Sequence, residues 1–91
     1  MRSGVLSCTM FVDLTYSQTR VGYALGRAYG SAVSRNRLRR QMRALVKDRE
    51  SVMSPGVYVF GASPRAKEAS FARLGEDLDR LLAKCAQRSH P

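Results

Sequence analysis

Tryptophan is absent from this 91-residue chain, and histidine occurs once, as His90 in the tail. The body of the sequence therefore has no His-assisted nucleophile and no His/Cys set with metal-ligand spacing. Cysteine is scarce as well. Cys8 and Cys85 lie at opposite ends of the chain, each at an apolar-face position. They read as buried small hydrophobes in a reducing cytoplasm rather than as a disulfide. No apolar run approaches the roughly 18 residues that span a bilayer. Met1-Arg2 with the stretch Val5 to Leu14 makes a poor signal peptide, because Ser7, Thr9 and Asp13 interrupt it and no small-residue cleavage pattern follows. Repeats, linkers and low-complexity tracts are missing. A chain of this length reads as one domain (1–91), with a core over 5–88 and a tail over 89–91.

Acidic residues are also in short supply. Seven Asp and Glu stand against sixteen Lys and Arg, a net charge of +9. That balance favours nucleic acid or an anionic membrane as partner. The membrane is the weaker choice for want of an apolar segment. The carboxylates are scattered, so none of them forms a cluster able to hold paired metal ions for phosphodiester hydrolysis.

What the chain does have is cationic charge in one place. Arg35, Arg37, Arg39, Arg40, Arg43 and Lys47 fall within thirteen residues that contain no acid. On a helix, Arg35, Asn36, Arg39, Arg40, Arg43 and Lys47 spread over about 140° of one side, and Arg37 points away from Arg35. Leu38, Met42 and Leu45 gather on a separate arc that can dock on a core. A solvated helix face normally mixes signs at i,i+4 because like charges repel there. Here the steps 35, 39, 43 and 47 are all uncompensated, which points to a polyanion. Arginine's planar fork suits phosphate oxygens better than lysine's point charge. Gly30 and Ser31 mark the start of this helix, with Ser31 as N-cap, and it runs to about Lys47.

The rest of the chain supplies strands and a closing helix. Val5 to Leu14 alternates, with Leu6, Cys8, Met10, Val12 and Leu14 on one face and Ser7, Thr9, Phe11 and Asp13 on the other. Thr15 to Gln18 offers a turn short enough for a hairpin. Thr19 to Gly26 is a second strand, with Val21, Tyr23 and Leu25 on one face. Gly22, Ala24 and Gly26 leave its other face bare: either another element packs closely there, or it floors a groove that a ligand backbone enters. Phe11 beside small residues and cations suits a stacking platform for single-stranded nucleic acid, or else packs under a further segment. Ser54-Pro55-Gly56 breaks the chain. Val57 to Phe60 is a continuously apolar strand, expected to be covered on both sides or nearly so. Strand, helix and strand suggest a βαβ unit. Ser63-Pro64 or Ser70 begins a last helix, whose apolar stripe is Phe71, Leu74, Leu78, Leu81, Leu82 and Cys85. Arg73, Glu76, Asp77, Asp79, Arg80 and Lys84 form its mixed-charge face, and a fraying tail starts at Gln87.

Val21-Gly22, Gly26-Arg27, Gly30-Ser31-Ala32-Val33 and above all Arg35-Asn36-Arg37-x-Arg39-Arg40-x-x-Arg43 resemble the protein subunit of bacterial ribonuclease P. Ala69-Ser70-Phe71 with Leu74 and Leu78 is similar to that family's last helix. The resemblance covers roughly residues 19 to 85. It implies an α+β fold: a two-layer α/β sandwich ordered β-β-α-β-α, with a left-handed βαβ crossover and a topology shared with a ribosomal protein domain. It also implies a complex with a catalytic RNA that removes the 5′ leader of precursor tRNA. Magnesium is then used by the RNA, with no protein metal site and no further protein partner.

By position, the resemblance implies that Arg35, Asn36, Arg39 and Arg43 face the leader beside Arg27, and that Arg37 and Arg40 favour the catalytic RNA. Lys47 completes the RNA-binding set, and Phe11, Gly22, Ala24 and Gly26 line the leader cleft. Two lysines usual after the family's second strand are Arg27 and Ala28 here, and a commonly acidic position is Ala44. The family's N-terminal basic helix, with its aromatic wall, has no counterpart ahead of Val5, so leader binding is expected to be weaker than catalytic-RNA binding. Two other readings compete: a structural or ribosome-associated RNA-binding protein of the same fold, and a DNA-binding module reading the major groove. The flanking strands and lack of a dimer signature weigh against the second.

Overall fold

The computed structural model describes the chain except residues 13, 14, 16, 90 and 91. Its elements are β1 (Arg2–Ser3), β2 (Leu6–Val12), β3 (Thr19–Tyr23), α1 (Ala32–Lys47), β4 (Gly56–Ala62) and α2 (Phe71–Ser89). Short 3-10 turns at Glu50–Val52 and Pro64–Glu68 lead into β4 and α2 respectively. The four strands form one sheet in the order β1-β2-β4-β3. β4 pairs antiparallel with β2, from Leu6↔Ala62 to Val12↔Gly56, and parallel with β3, from Thr19↔Gly56 to Tyr23↔Phe60. The fold is thus the mixed α+β sandwich expected, and β3, α1 and β4 make the βαβ unit.

Three expectations change. β2 and β3 do not form a hairpin through Thr15 to Gln18, because β4 lies between them. The apolar run of β4 finds partners on both edges only at the centre of the sheet, and that placement outweighs a short local turn. Second, residues ahead of Val5 do take structure. Arg2–Ser3 pairs with β2 through a turn at Gly4, whose φ of +57° suits glycine. Third, β4 is covered on one side only. Tyr58 and Phe60 are buried, whereas Val57 and Val59 are half-exposed. The expected strand residues Asp13 and Leu14, the turn residue Tyr16 and the tail residues His90 and Pro91 lie outside the described residues.

Both helices contribute to a single core on one sheet face, where Leu6, Cys8, Tyr58 and Phe60 meet Leu38, Met42, Leu45 and Val46 of α1 and Leu74, Leu78, Leu81, Leu82 and Cys85 of α2. Each fully buried leucine stabilises the fold by about 1.5–3 kcal/mol through loss of apolar hydration. Ser31 caps α1, its Oγ accepting the Ser34 N–H at 3.2 Å. Ser70, rather than Ser63, caps α2, its Oγ accepting the Arg73 N–H at 3.0 Å. Phe71 does not join the stripe and is 49% exposed. α2 remains helical to Ser89, past the boundary expected at Gln87.

The charged face of α2 also holds a surprise. Asp77 is fully buried. Its carboxylate accepts the backbone N–H of Val5 at 3.1 Å and hydrogen bonds from Arg73 Nε at 3.1 Å and Arg80 Nη1 at 3.3 Å. A buried carboxylate is tolerated when it is paired and hydrogen-bonded in this way. Cys8 and Cys85 are free and buried, as expected. Burial, with Cys85 beside it, pushes the Cys8 thiol up to about 12, and burial raises Cys85 too.

Candidate nucleic-acid interface

Because α1 docks through Leu38, Met42, Leu45 and Val46, its two flanks stand free on either side of the contact. On one flank Asn36, Arg39, Arg40 and Arg43, with Val33, line an open depression of about 490 Å³. Asn36 Oδ1 accepts a hydrogen bond from Arg39 Nη1 at 2.9 Å, which holds that guanidinium along the row. The ion pairs among the described residues belong to Arg49, Arg73 and Arg80. The arginines of this row have no carboxylate partner among the described residues. Arg43 also lies close enough to Tyr23 to oppose the upward push of burial on that phenol.

Arg40 shares this depression, although the resemblance groups it with Arg37. Arg37 lies on the opposite flank, as the helical wheel requires. There it lines a second cavity of about 220 Å³ with Tyr29, Ser34, Gln41 and Lys67. Arg35 belongs fully to neither. It is half-buried, and its Nε is enclosed without a hydrogen-bond partner among the described residues. Arg27 is exposed in the turn between β3 and α1, and Lys47 is exposed in the last turn of α1.

The remaining predicted residues sit on the uncovered sheet face. Residues paired across strands share a face. Phe11, Val57 and Arg20 are in register, as are Thr9, Val59 and Gly22. This face is the one opposite the helices. Phe11 is 67% exposed there, and a Cβ placed on Gly22 or Gly26 would meet nothing within 4 Å. Ala24 is exposed as well. Of the two meanings a bare face could have, the structure holds the open one among the described residues.

Two basic residues escaped the sequence reading. Arg20 joins Phe11 on the open face, a position that strand alternation places opposite Val21 and Tyr23. Lys67 joins Arg37 through tertiary packing, which no local pattern shows. Among the described residues no three His, Cys, Asp or Glu side chains gather as a metal site. No helix there is long and apolar enough to cross a membrane.

A family model described as Ribonuclease P matches residues 3–86. The chain belongs to that family. It is 40% identical over 67 residues to the ribonuclease P protein component of Streptomyces avermitilis, covering 72% of this chain and 54% of the relative. It is 34% identical over 87 residues to that of Thermus scotoductus, covering 92% and 52%. The chain thus spans about half the length of these curated relatives. The fold is similar to the RNase P protein from Thermotoga maritima, with a TM-score of 0.81 at 21% identity over 92% of this chain and 80% of that one. It is also similar to the Staphylococcus aureus RNase P protein, with a TM-score of 0.76 at 21% identity over 90% and 74%.

Proposed function

We propose that this chain acts as the protein subunit of ribonuclease P, binding the catalytic RNA and the 5′ leader of precursor tRNA while the RNA cuts. The observation that carries this reading is the row of Asn36, Arg39, Arg40 and Arg43 around one open depression, without a carboxylate partner among the described residues. Family membership supports it. In this reading the leader runs along that row and over the sheet face, with Phe11 as a stacking surface. The Arg37 flank meets the catalytic RNA, and Arg40 falls on the leader's side. The protein neutralises phosphates and positions substrate, and each phosphate contact releases counterions, so affinity falls steeply with salt. Magnesium belongs to the RNA's chemistry, and the compartment is the cytoplasm.

Reconstitution tests the proposal. Added to the catalytic RNA at low magnesium, the protein is expected to restore cleavage of precursor tRNA at the leader junction. Absence of stimulation across a protein titration would reject it. Tight binding to structured RNA with no effect on leader removal would favour a purely structural RNA-binding role.

A further inference from the structure

The cavity on the Arg37 flank is lined by two cations, yet it lies away from the row that carries the functional reading. Arg37 reaches it from α1 and Lys67 from the 3-10 turn Pro64–Glu68, with Tyr29, Ser34 and Gln41 between them. No acidic side chain lines it, and Glu68, next to Lys67 in sequence, is exposed outside it.

Lys67 is held in place. Its ammonium stands 5.8 Å from the centre of the Tyr29 ring, a cation–π contact. Gly30, at φ +154°, leaves the space beside it, since a Cβ there would come within 3.2 Å of Lys67 Nζ. Arg37 lies close enough to Tyr29 to oppose the rise that burial imposes on its phenol. Two cations, the two hydroxyl-bearing side chains Tyr29 and Ser34 and one amide therefore line a space of about 220 Å³, where a phosphate would gain charge-assisted hydrogen bonds.

We propose that Arg37 and Lys67 form a phosphate-binding pocket for the backbone of the catalytic RNA, with Ser34 and Gln41 as neutral donors. This deepens the functional reading above and rests on it. It assigns Lys67, outside the arginine motif, as a second anchor on the flank facing away from the leader.

The test compares Lys67→Ala, Lys67→Arg, Arg37→Ala and Arg39→Ala for binding of the catalytic RNA and, separately, of a single-stranded leader oligonucleotide, over a range of salt. Lys67 is exposed, so its variants are expected to keep the wild-type melting temperature. Lys67→Ala is expected to weaken catalytic-RNA binding about tenfold, as loss of a charge-assisted contact does. It should also reduce the slope of log affinity against log salt by about 0.7–0.9, one phosphate's worth. Lys67→Arg should restore both, and leader binding should not move. Unchanged catalytic-RNA affinity in Lys67→Ala, with Arg39→Ala still weakening leader binding, would overturn the pocket and leave the functional reading intact. Equal losses in both assays would overturn its assignment to the catalytic RNA. If Arg39→Ala and Arg37→Ala also leave every affinity unchanged, the wider reading fails with it.

Discussion

Phe11 and Arg20 stand opposite the same residue, Val57, on the two strands that flank β4. At the usual interstrand spacing the aromatic ring and the guanidinium are carried by backbones about 10 Å apart on the open face. A base stacked on Phe11 would bring its phosphate within reach of that guanidinium.

The first prediction follows from this pairing. Phe11→Ala is expected to weaken binding of a single-stranded leader oligonucleotide by about 1–3 kcal/mol, the usual value of one stacked base. Because the ring is 67% exposed, thermal stability should hardly change. Fluorescence anisotropy and a melting curve on the same preparation check both halves. A lower melting temperature with unchanged RNA affinity would show that the ring packs rather than stacks on RNA.

The second concerns the fold beneath the site. Asp77→Asn is expected to destabilise the protein by about 1–3 kcal/mol in urea denaturation, since the buried acceptor of the Val5 N–H and of two arginines is compromised. Arg73→Ala and Arg80→Ala should each cost under about 1 kcal/mol, because both side chains are largely in water. Gly4→Ala should behave like the Asp77 variant: φ is +57° there, and a Cβ would fall on the Asp77 carboxylate. An arginine variant as damaging as Asp77→Asn would mean that the ion pairs, not the clamp on the N-terminal turn, hold this region.

A third prediction comes from the thiols. Cys8 is raised from 9.0 to about 12 in the folded protein, chiefly by burial, and Cys85 moves the same way. Above pH 9 the unfolded chain releases these protons while the native state retains them. Stability is therefore complete below about pH 9 and falls as pH rises toward 12, by at most about 1.4 kcal/mol per pH unit for each thiol. Tyr58, also raised by burial, adds to the loss above pH 10. Urea titrations from pH 8 to 11 measure this slope, and Cys8→Ala should flatten it. At pH 8 a thiol reagent should leave the native protein unmodified and react once urea is added. Rapid modification of the native state would contradict the burial.

How much of this was legible beforehand depends on whether a feature is local. The span of α1, its Ser31 cap and its buried Leu38, Met42 and Leu45 follow from a 3.6-residue period and from polar groups within one turn of the chain. The inward Leu6 and Cys8 follow from strand alternation in the same way, whereas the unbroken apolar run of β4 left its covered side, Tyr58 and Phe60, to the tertiary packing. Phe71 was misread because it sits one turn before the helix meets the sheet, where the period still counts it as apolar.

By itself, then, the sequence determined the spans of both helices and of the longer strands to within a few residues, the apolar side of α1 and β2, and that one helix carries arginine without acid to balance it. Only the tertiary structure decided that β4 separates β2 from β3, that Asp77 is buried to clamp a turn 72 residues away, and that Lys67 and Arg37 line one cavity. The reason is physical: period and capping are set by neighbours within a few residues. Strand order, the pairing of a buried carboxylate and the meeting of two cations are settled by how separate elements share one core.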